Sequence, residues 1–182
     1  MSKQTERITL GSGKLYLMEF DGTLPTKEDI CKADNLFSRI KGGASLEYTP
    51  TFYEAKDDLG QVIKTIITEE EAILKSGVMT FNGNSIDKLC DTGRVTEAQG
   101  LRTVKIGGIG NAKRARYVIC FHHEDAIDGD IWVIIVGNNQ SGFSLTFAKD
   151  AETVIDAEFK ALAQDDEGTL ITYIEEDESI TA

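Results

Sequence analysis

The stretch from Ala44 to Met79 constrains this chain most. Its first arm, Ala44 to Ala55, alternates: Leu46, Tyr48, Pro50 and Phe52 fall on one face, and Glu47, Thr49 and Thr51 on the other. A period of two is that of a β-strand. Lys56-Asp57-Asp58-Leu59-Gly60 is polar and ends in glycine, which marks a turn. The second arm, Gln61 to Thr68, is rich in Val, Ile and Thr, residues suited to a pleated surface. The expectation is a long β-hairpin over 44–68, carrying apolar side chains on both faces around Tyr53, Ile63, Ile66 and Ile67. A two-stranded ribbon alone is marginal in water, so its own domain or a neighbouring subunit has to cover it.

A chain of 182 residues fits one domain, or one domain with an arm. Its 31 acidic against 19 basic residues give a net charge of -12, which works against tight binding to nucleic acid or anionic membranes. The longest apolar run, Ile131 to Val136, is the length of a strand and not of a membrane span. Met1 to Arg7 lacks the apolar segment of a signal peptide, so synthesis in a cytoplasm is expected. Cys31, Cys90 and Cys120 are scattered and form no C-x-x-C pair, which favours buried or idle thiols over metal or disulfide use. Few prolines and many glycines among short Val/Ile/Thr runs point to a mainly β protein.

Along the chain, Ile8 to Phe20 holds a strand candidate in Lys14 to Phe20. Asp21 to Lys41 looks like a loop or arm, with one helical turn at 26–31 capped by Thr26. Glu69 to Lys75 has helical propensity, but the alternation of Ala72, Leu74 and Val78 favours a strand. Asn82 to Cys90 reads as a short helix with Asn82 or Asn84 as cap and Ile86, Leu89 and Cys90 on one face. From Arg94 the pattern is β, with strand candidates at 100–107, 114–123, 130–136 and 143–148. Hairpins at Asp128-Gly129 and Gly137-Asn138-Asn139 would join the last three. Ala151 to Leu162 has helical composition, and also fits a strand at 153–155 followed by a turn. Gly168 to Glu178 reads as a strand running into an acidic tail.

No catalytic, cofactor or metal set emerges. Gly107-Gly108-Ile109-Gly110-Asn111-Ala112-Lys113-Arg114 fits neither phosphate-loop pattern and reads as a loop between strands. His122 to Asp130 gathers two histidines and four carboxylates. It departs from EF-hand spacing, and neighbouring strand residues point to opposite faces, so a solvated hairpin turn is the better reading than a cation site. No G-x-S-x-G is present, and the only two histidines are neighbours, so no nucleophile–base pair converges. Asn139-Gln140-Ser141 matches a glycosylation sequon, to which no role is given in a chain without a signal peptide. The acidic runs at 69–71, 165–167 and 175–178 suit solvated faces, or the wall of an acidic channel in an assembly.

Several features in order carry a family resemblance: a short first strand and variable arm (1–41); then Ile40-Lys41-Gly42-Gly43-Ala44-Ser45-Leu46-Glu47-Tyr48-Thr49-Pro50 leading into the long hairpin; then Thr68-Glu69-Glu70-Glu71-Ala72-Ile73-Leu74-Lys75-Ser76-Gly77-Val78-Met79-Thr80-Phe81-Asn82, a short helix and a run of antiparallel strands. The chain resembles the tail tube (major tail) proteins of tailed bacteriophages and prophages. The resemblance spans most of the chain and is one of pattern, not of a catalytic motif. It implies a single domain over 1–182, an antiparallel β-sandwich or barrel with one short helix and a protruding hairpin. It also implies hexameric rings that stack into a tube enclosing the tape measure protein and conducting DNA without binding it specifically. Further implied partners are the tail terminator and tail-tip or baseplate proteins, with assembly in the bacterial host cytoplasm and residence in the virion tail. Phe52, Tyr53, Glu54, Lys56, Asp57, Asp58, Leu59, Val62 and Ile63 become the expected contact between rings. An acidic subunit suits such a conduit, because a negative wall repels DNA and lets it slide.

The leading expectation is therefore a structural, self-assembling protein with no enzymatic step. The alternatives are another assembly (the tube of a contractile tail, a phage-like particle or a type VI-like secretion system, or a head–tail connector) and a soluble ligand-binding β-sandwich. The last needs a pocket with converging polar groups.

Overall fold

The computed structural model describes residues 9, 11–177 and 180. Ile8, the Met1–Arg7 segment and Glu178 of the acidic tail lie outside them. Strand accounts for 49% and helix for 9%, so the class is mainly β with a large antiparallel sheet.

The elements run β1 (Lys14–Glu19), α1 (Lys27–Ile30), β2 (Leu36–Lys56), β3 (Val62–Val78), α2 (Gly83–Lys88), β4 (Arg94–Ala98), β5 (Leu101–Lys105), β6 (Tyr117–His123), β7 (Ile131–Asn139), β8 (Ile155–Leu162) and β9 (Ile171–Glu175). The hydrogen-bonded order is β6-β1-β2-β3-β8-β7, and β7 pairs back onto β6. β9 adds to the part of β7 that β8 leaves free, pairing with Ile131 to Ile135, whereas β8 takes Val136 to Asn139. β4 and β5 form a separate two-stranded sheet.

Alternation sorts the apolar side chains into two clusters. Leu15, Leu17, Leu74, Val78, Ile119, Ile135, Ile155 and Phe159 share one, which Leu89 closes from the end of α2. The intervening residues Tyr16, Val118, Cys120, Trp132, Ile134 and Val136 form the other, covered by Ile30 of α1. Strands β1, β6 and β7 are thus buried on both faces. That explains the unbroken apolar run Ile131 to Val136, since a strand covered on both sides has no face to leave polar.

Both helices start as their side chains dictate. Thr26 accepts the Asp29 amide, and Asn82 accepts the amides of Asn84 and Ser85. Leu89 is buried as its spacing requires, but Ser85 takes the buried place on α2 expected for Ile86.

Four expectations change. Leu36 to Lys41 is strand, and Ile30 is fully buried, so residues 14–41 are built into the sheet and its cover instead of forming a loose arm. The hairpin strands are also longer than 44–68, and the 69–78 segment continues β3. Ala151 to Leu162 is not a helix: Ile155, Ala157, Phe159 and Ala161 point inward while Asp156, Glu158 and Lys160 point out, a period of two that overrides helical composition. Residues 143–148 are not a strand. Asn139 Nδ2 donates to Gly142 O and Leu89 O at 2.6 and 3.1 Å, and its Oδ1 accepts the Glu158 amide at 3.1 Å. The chain therefore leaves the sheet after Asn139 and β7 finds β8 as its neighbour, so no hairpin forms at 137–139.

Phe159→Ala removes a fully buried ring from the larger cluster and is expected to cost about 3–5 kcal/mol. Ile63→Ser, at an exposed ribbon site, is expected to stay within about 0.5 kcal/mol in the monomer. Urea unfolding followed by the fluorescence of the single tryptophan checks both.

Candidate interaction surface

β1 pairs with β2 only from Leu36 to Arg39, and β8 pairs with β3 only from Ile73 to Val78. Beyond the Tyr48–Ala72 pair the two long strands have no neighbour but each other, down to Lys56–Val62. At about 3.3 Å per residue this free ribbon projects roughly 30 Å. Nearer the core the strand pair carries a bulge: Ile40 pairs with Val78 and Ala44 with Ser76, and the loop between them is taken by Gly42 and Gly43 at positive φ. Its tip is closed by Asp57, whose Oδ1 accepts the amides of Leu59 and Gln61 at 3.0 and 2.8 Å, with Gly60 at φ 78°.

The register sets what the two faces carry. Phe52 stands opposite Ile67 on one, and Tyr53 opposite Ile66 on the other. Phe52 is 53% exposed, Tyr53 60%, Ile63 71%, Ile66 47% and Ile67 52%, and Leu59 and Val62 add to the tip. Exposed apolar side chains grouped in this way make the ribbon a candidate contact surface. Polar groups brace the ribbon without covering it. Tyr48 Oη donates to Glu70, Lys75 bridges to Glu47 at 3.1 Å, and Lys56 stands 3.6 Å from Glu54. All the residues expected in the inter-ring hairpin, Phe52, Tyr53, Glu54, Lys56, Asp57, Asp58, Leu59, Val62 and Ile63, lie on this segment.

The histidine cluster is organised differently from a solvated turn. Both histidines are buried. His122 Nε2 lies 2.8 Å from Asp130 Oδ2, and its ring stacks on Trp132 with centroids 4.8 Å apart. Lys27 Nζ stands 4.0 Å from the centre of the Trp132 ring. His123 points the other way and its Nδ1 donates to Ser12 O at 2.7 Å. Asp130 Oδ1 accepts the Asp125 amide at 2.9 Å, which ties the β6–β7 turn to the end of β7. Among the described residues no three His, Cys, Asp or Glu side chains gather as a metal site. The arrangement locks a turn. The sequence could not indicate this, because the burial of Trp132 and the packing of α1 against it come from distant segments.

Near it, Cys31 Sγ and Cys120 Sγ are 3.9 Å apart. The Cys120 contact, with help from nearby Trp132 and Lys27, lowers the pKa of Cys31, whereas the same contact together with burial raises that of Cys120. Among the described residues, a small crevice between Leu89, Tyr117 and Asn139 has a cavity volume of about 10 Å³, room for about one water. No described helix is long and apolar enough to cross a membrane. Compared with protein-family models and with curated proteins, the chain matches none.

Two measurements follow from this geometry. Burial raises the Asp130 pKa, but the Asp125 amide and His122 outweigh it and leave the carboxyl below its ordinary value. The unfolded chain then binds the proton more tightly, so this contribution is full above the ordinary carboxylate pKa of about 4 and is lost as pH falls below it. Asp130→Asn is expected to lower stability at pH 7 and to flatten the acid limb, read by urea midpoints from pH 3 to 7. A disulfide reagent at pH 8 is expected to modify Cys31 several-fold faster than Cys120, counted by peptide mass.

Proposed function

We propose that this chain is a structural subunit that assembles with copies of itself into stacked rings, forming a tube of the phage tail type. The observation that carries this reading is the free ribbon of β2 and β3, with Phe52 and Ile67 exposed on one face and Tyr53 and Ile66 on the other. A monomer gains nothing by holding two apolar faces in water, whereas a neighbouring subunit that covers them gains their burial. The closed pairing order β6-β1-β2-β3-β8-β7 supports a barrel-like subunit core, and the outer edge of β9 offers a place for sheet continuation between subunits. The net charge of -12 suits a conduit that repels DNA from its wall. On this reading the partners are other copies, with the tape measure, terminator and tip proteins that the resemblance implies. DNA passes without specific binding, and no catalysis takes place.

Negative-stain microscopy beside solution mass over a range of concentrations is the test. The full chain is expected to form rings or hollow tubes. Deletion of Glu54 to Gln61 is expected to leave a folded monomer, by circular dichroism and tryptophan fluorescence, that does not polymerise. Long tubes from the deletion would remove the ribbon from the stacking contact. A full chain that stays monomeric, with the ribbon protected from hydrogen exchange, would overturn the reading.

A further inference from the structure

Charge is distributed unevenly along the chain. Between Glu47 and Glu71 stand seven carboxylates and two lysines, whereas between Arg94 and Arg116 stand six cations and one carboxylate. The second segment begins with the β4–β5 hairpin. Register and alternation divide its residues. Val95 and Val104 are opposite each other and half-buried, and a Cβ on Gly83 of α2 would lie 2.8 Å from Val104 and Arg102 side-chain atoms, so this face packs on α2. The other face carries Arg94, Thr96 and Ala98 opposite Lys105, Thr103 and Leu101, all exposed.

That outer face is unusual in two ways. Arg94 and Lys105 are directly opposite, a like-charge pair that disfavours the hairpin on its own. Arg102 is held by Glu97 at 2.6 Å and Lys113 by Asp87 at 2.9 Å, but among the described residues neither Arg94 nor Lys105 joins an ion pair. At the other end of the same face Leu101 is 70% exposed, and Ile106, which follows Lys105, and Ile109 are exposed as well. A face with unpaired cations at its base and a bare apolar side chain at its tip complements the ribbon, whose Phe52, Tyr53, Ile66 and Ile67 lie near Glu54, Glu69 and Glu70.

We propose that the β2–β3 ribbon of one copy docks on the outer face of the β4–β5 hairpin of a second copy. This rests on the self-assembly reading above and names the surface that receives the ribbon. The contact joins two different patches of the same chain. Such a heterologous contact either closes a ring or propagates without end, and it leaves a free ribbon at one end and a free receptor face at the other. A polyanion is the rival occupant of a basic patch, but the surplus of carboxylates on the rest of the chain works against it.

The experiment uses two full-length variants. Arg94→Glu with Lys105→Glu spoils the receptor face, and Tyr53→Ser with Ile66→Ser spoils the ribbon. All four sites are exposed, and tryptophan fluorescence reports whether each variant is folded. If the double Glu variant fails to fold, Arg94→Gln with Lys105→Gln replaces it. Each variant alone is expected to raise the concentration for half-assembly more than about tenfold. Mixed in equal amounts, they are expected to form a one-to-one dimer by analytical ultracentrifugation, because each retains the patch the other lacks, and to grow no further. Arg94→Lys is expected to assemble as wild type does. Assembly of the double Glu variant at wild-type concentrations would overturn this receptor surface and leave self-assembly standing. Two monomeric variants that do not combine when mixed would overturn the pairing of these patches. Wild-type binding to duplex DNA that the double Glu variant loses would assign the patch to a polyanion instead. A wild-type chain that never self-associates would overturn both proposals.

Discussion

The structure depends on a mismatch of strand length. β2 and β3 are 21 and 17 residues long, yet their outer neighbours β1 and β8 contact only the ends nearest the core. The proximal ends close the hydrogen-bonded order and supply Leu74 and Val78 to the core. The distal ends have no such work inside the monomer. One continuous pair of strands therefore serves as core and as projection, and the end of β8 pairing at Ile73 marks where one becomes the other. Backbone hydrogen bonds continue through this junction, so the ribbon's direction is coupled to the packing of the sheet below it. A separate loop would have to fix its own orientation, at an entropic cost for every residue ordered.

In the turn between β6 and β7 the chain uses polar residues to fix a strand end. β1, β6 and β7 are covered by Ile30 and α1 on one face and by the larger cluster on the other. Where these strands stop, His122, Asp130 and Trp132 join the turn to the layer beneath α1, and Lys14 bridges to Glu124 at 2.6 Å. Burying two histidines is costly unless their nitrogens find partners. Asp130 and the Ser12 carbonyl each satisfy one. The cluster is tied to its neighbours on several strands, whereas the apolar ribbon at the same end of the sheet is unsupported.

The ribbon was legible in the sequence because an exposed two-stranded segment is governed by local rules: alternation, an Asx turn and a glycine tip. Both helix caps were legible for the same reason. What failed was decided at a distance. Ala151 to Leu162 reads as helix by composition, and only the apolar surface prepared by β3 and β7 makes its alternating half the stronger signal. Residues 143–148 have a strand's composition but lose their place to β8 because Asn139 redirects the chain. The candidate surface was visible as a pair of sticky faces. The proposed receptor face was not, because it depends on which side of β4–β5 faces α2, and a sequence of alternating residues sets two faces without saying which is covered.

The detail of the ribbon also bears on how a neighbour would meet it. Free strands invite edge-to-edge pairing, and proteins blunt them with proline, charge and bulges. This ribbon carries Pro50, which has no N–H to offer a third strand. Register shifts at Thr51/Phe52 and Ala55/Lys56 break the regular ladder that strand addition would extend. Lys56 and Lys64 stand near the tip. The apolar side chains, in contrast, are left unguarded. Edges that are blocked and faces that are bare favour contact through side chains over contact through the backbone ladder. A face-on contact would also leave both strands of the ribbon paired with each other, as they are in the free chain.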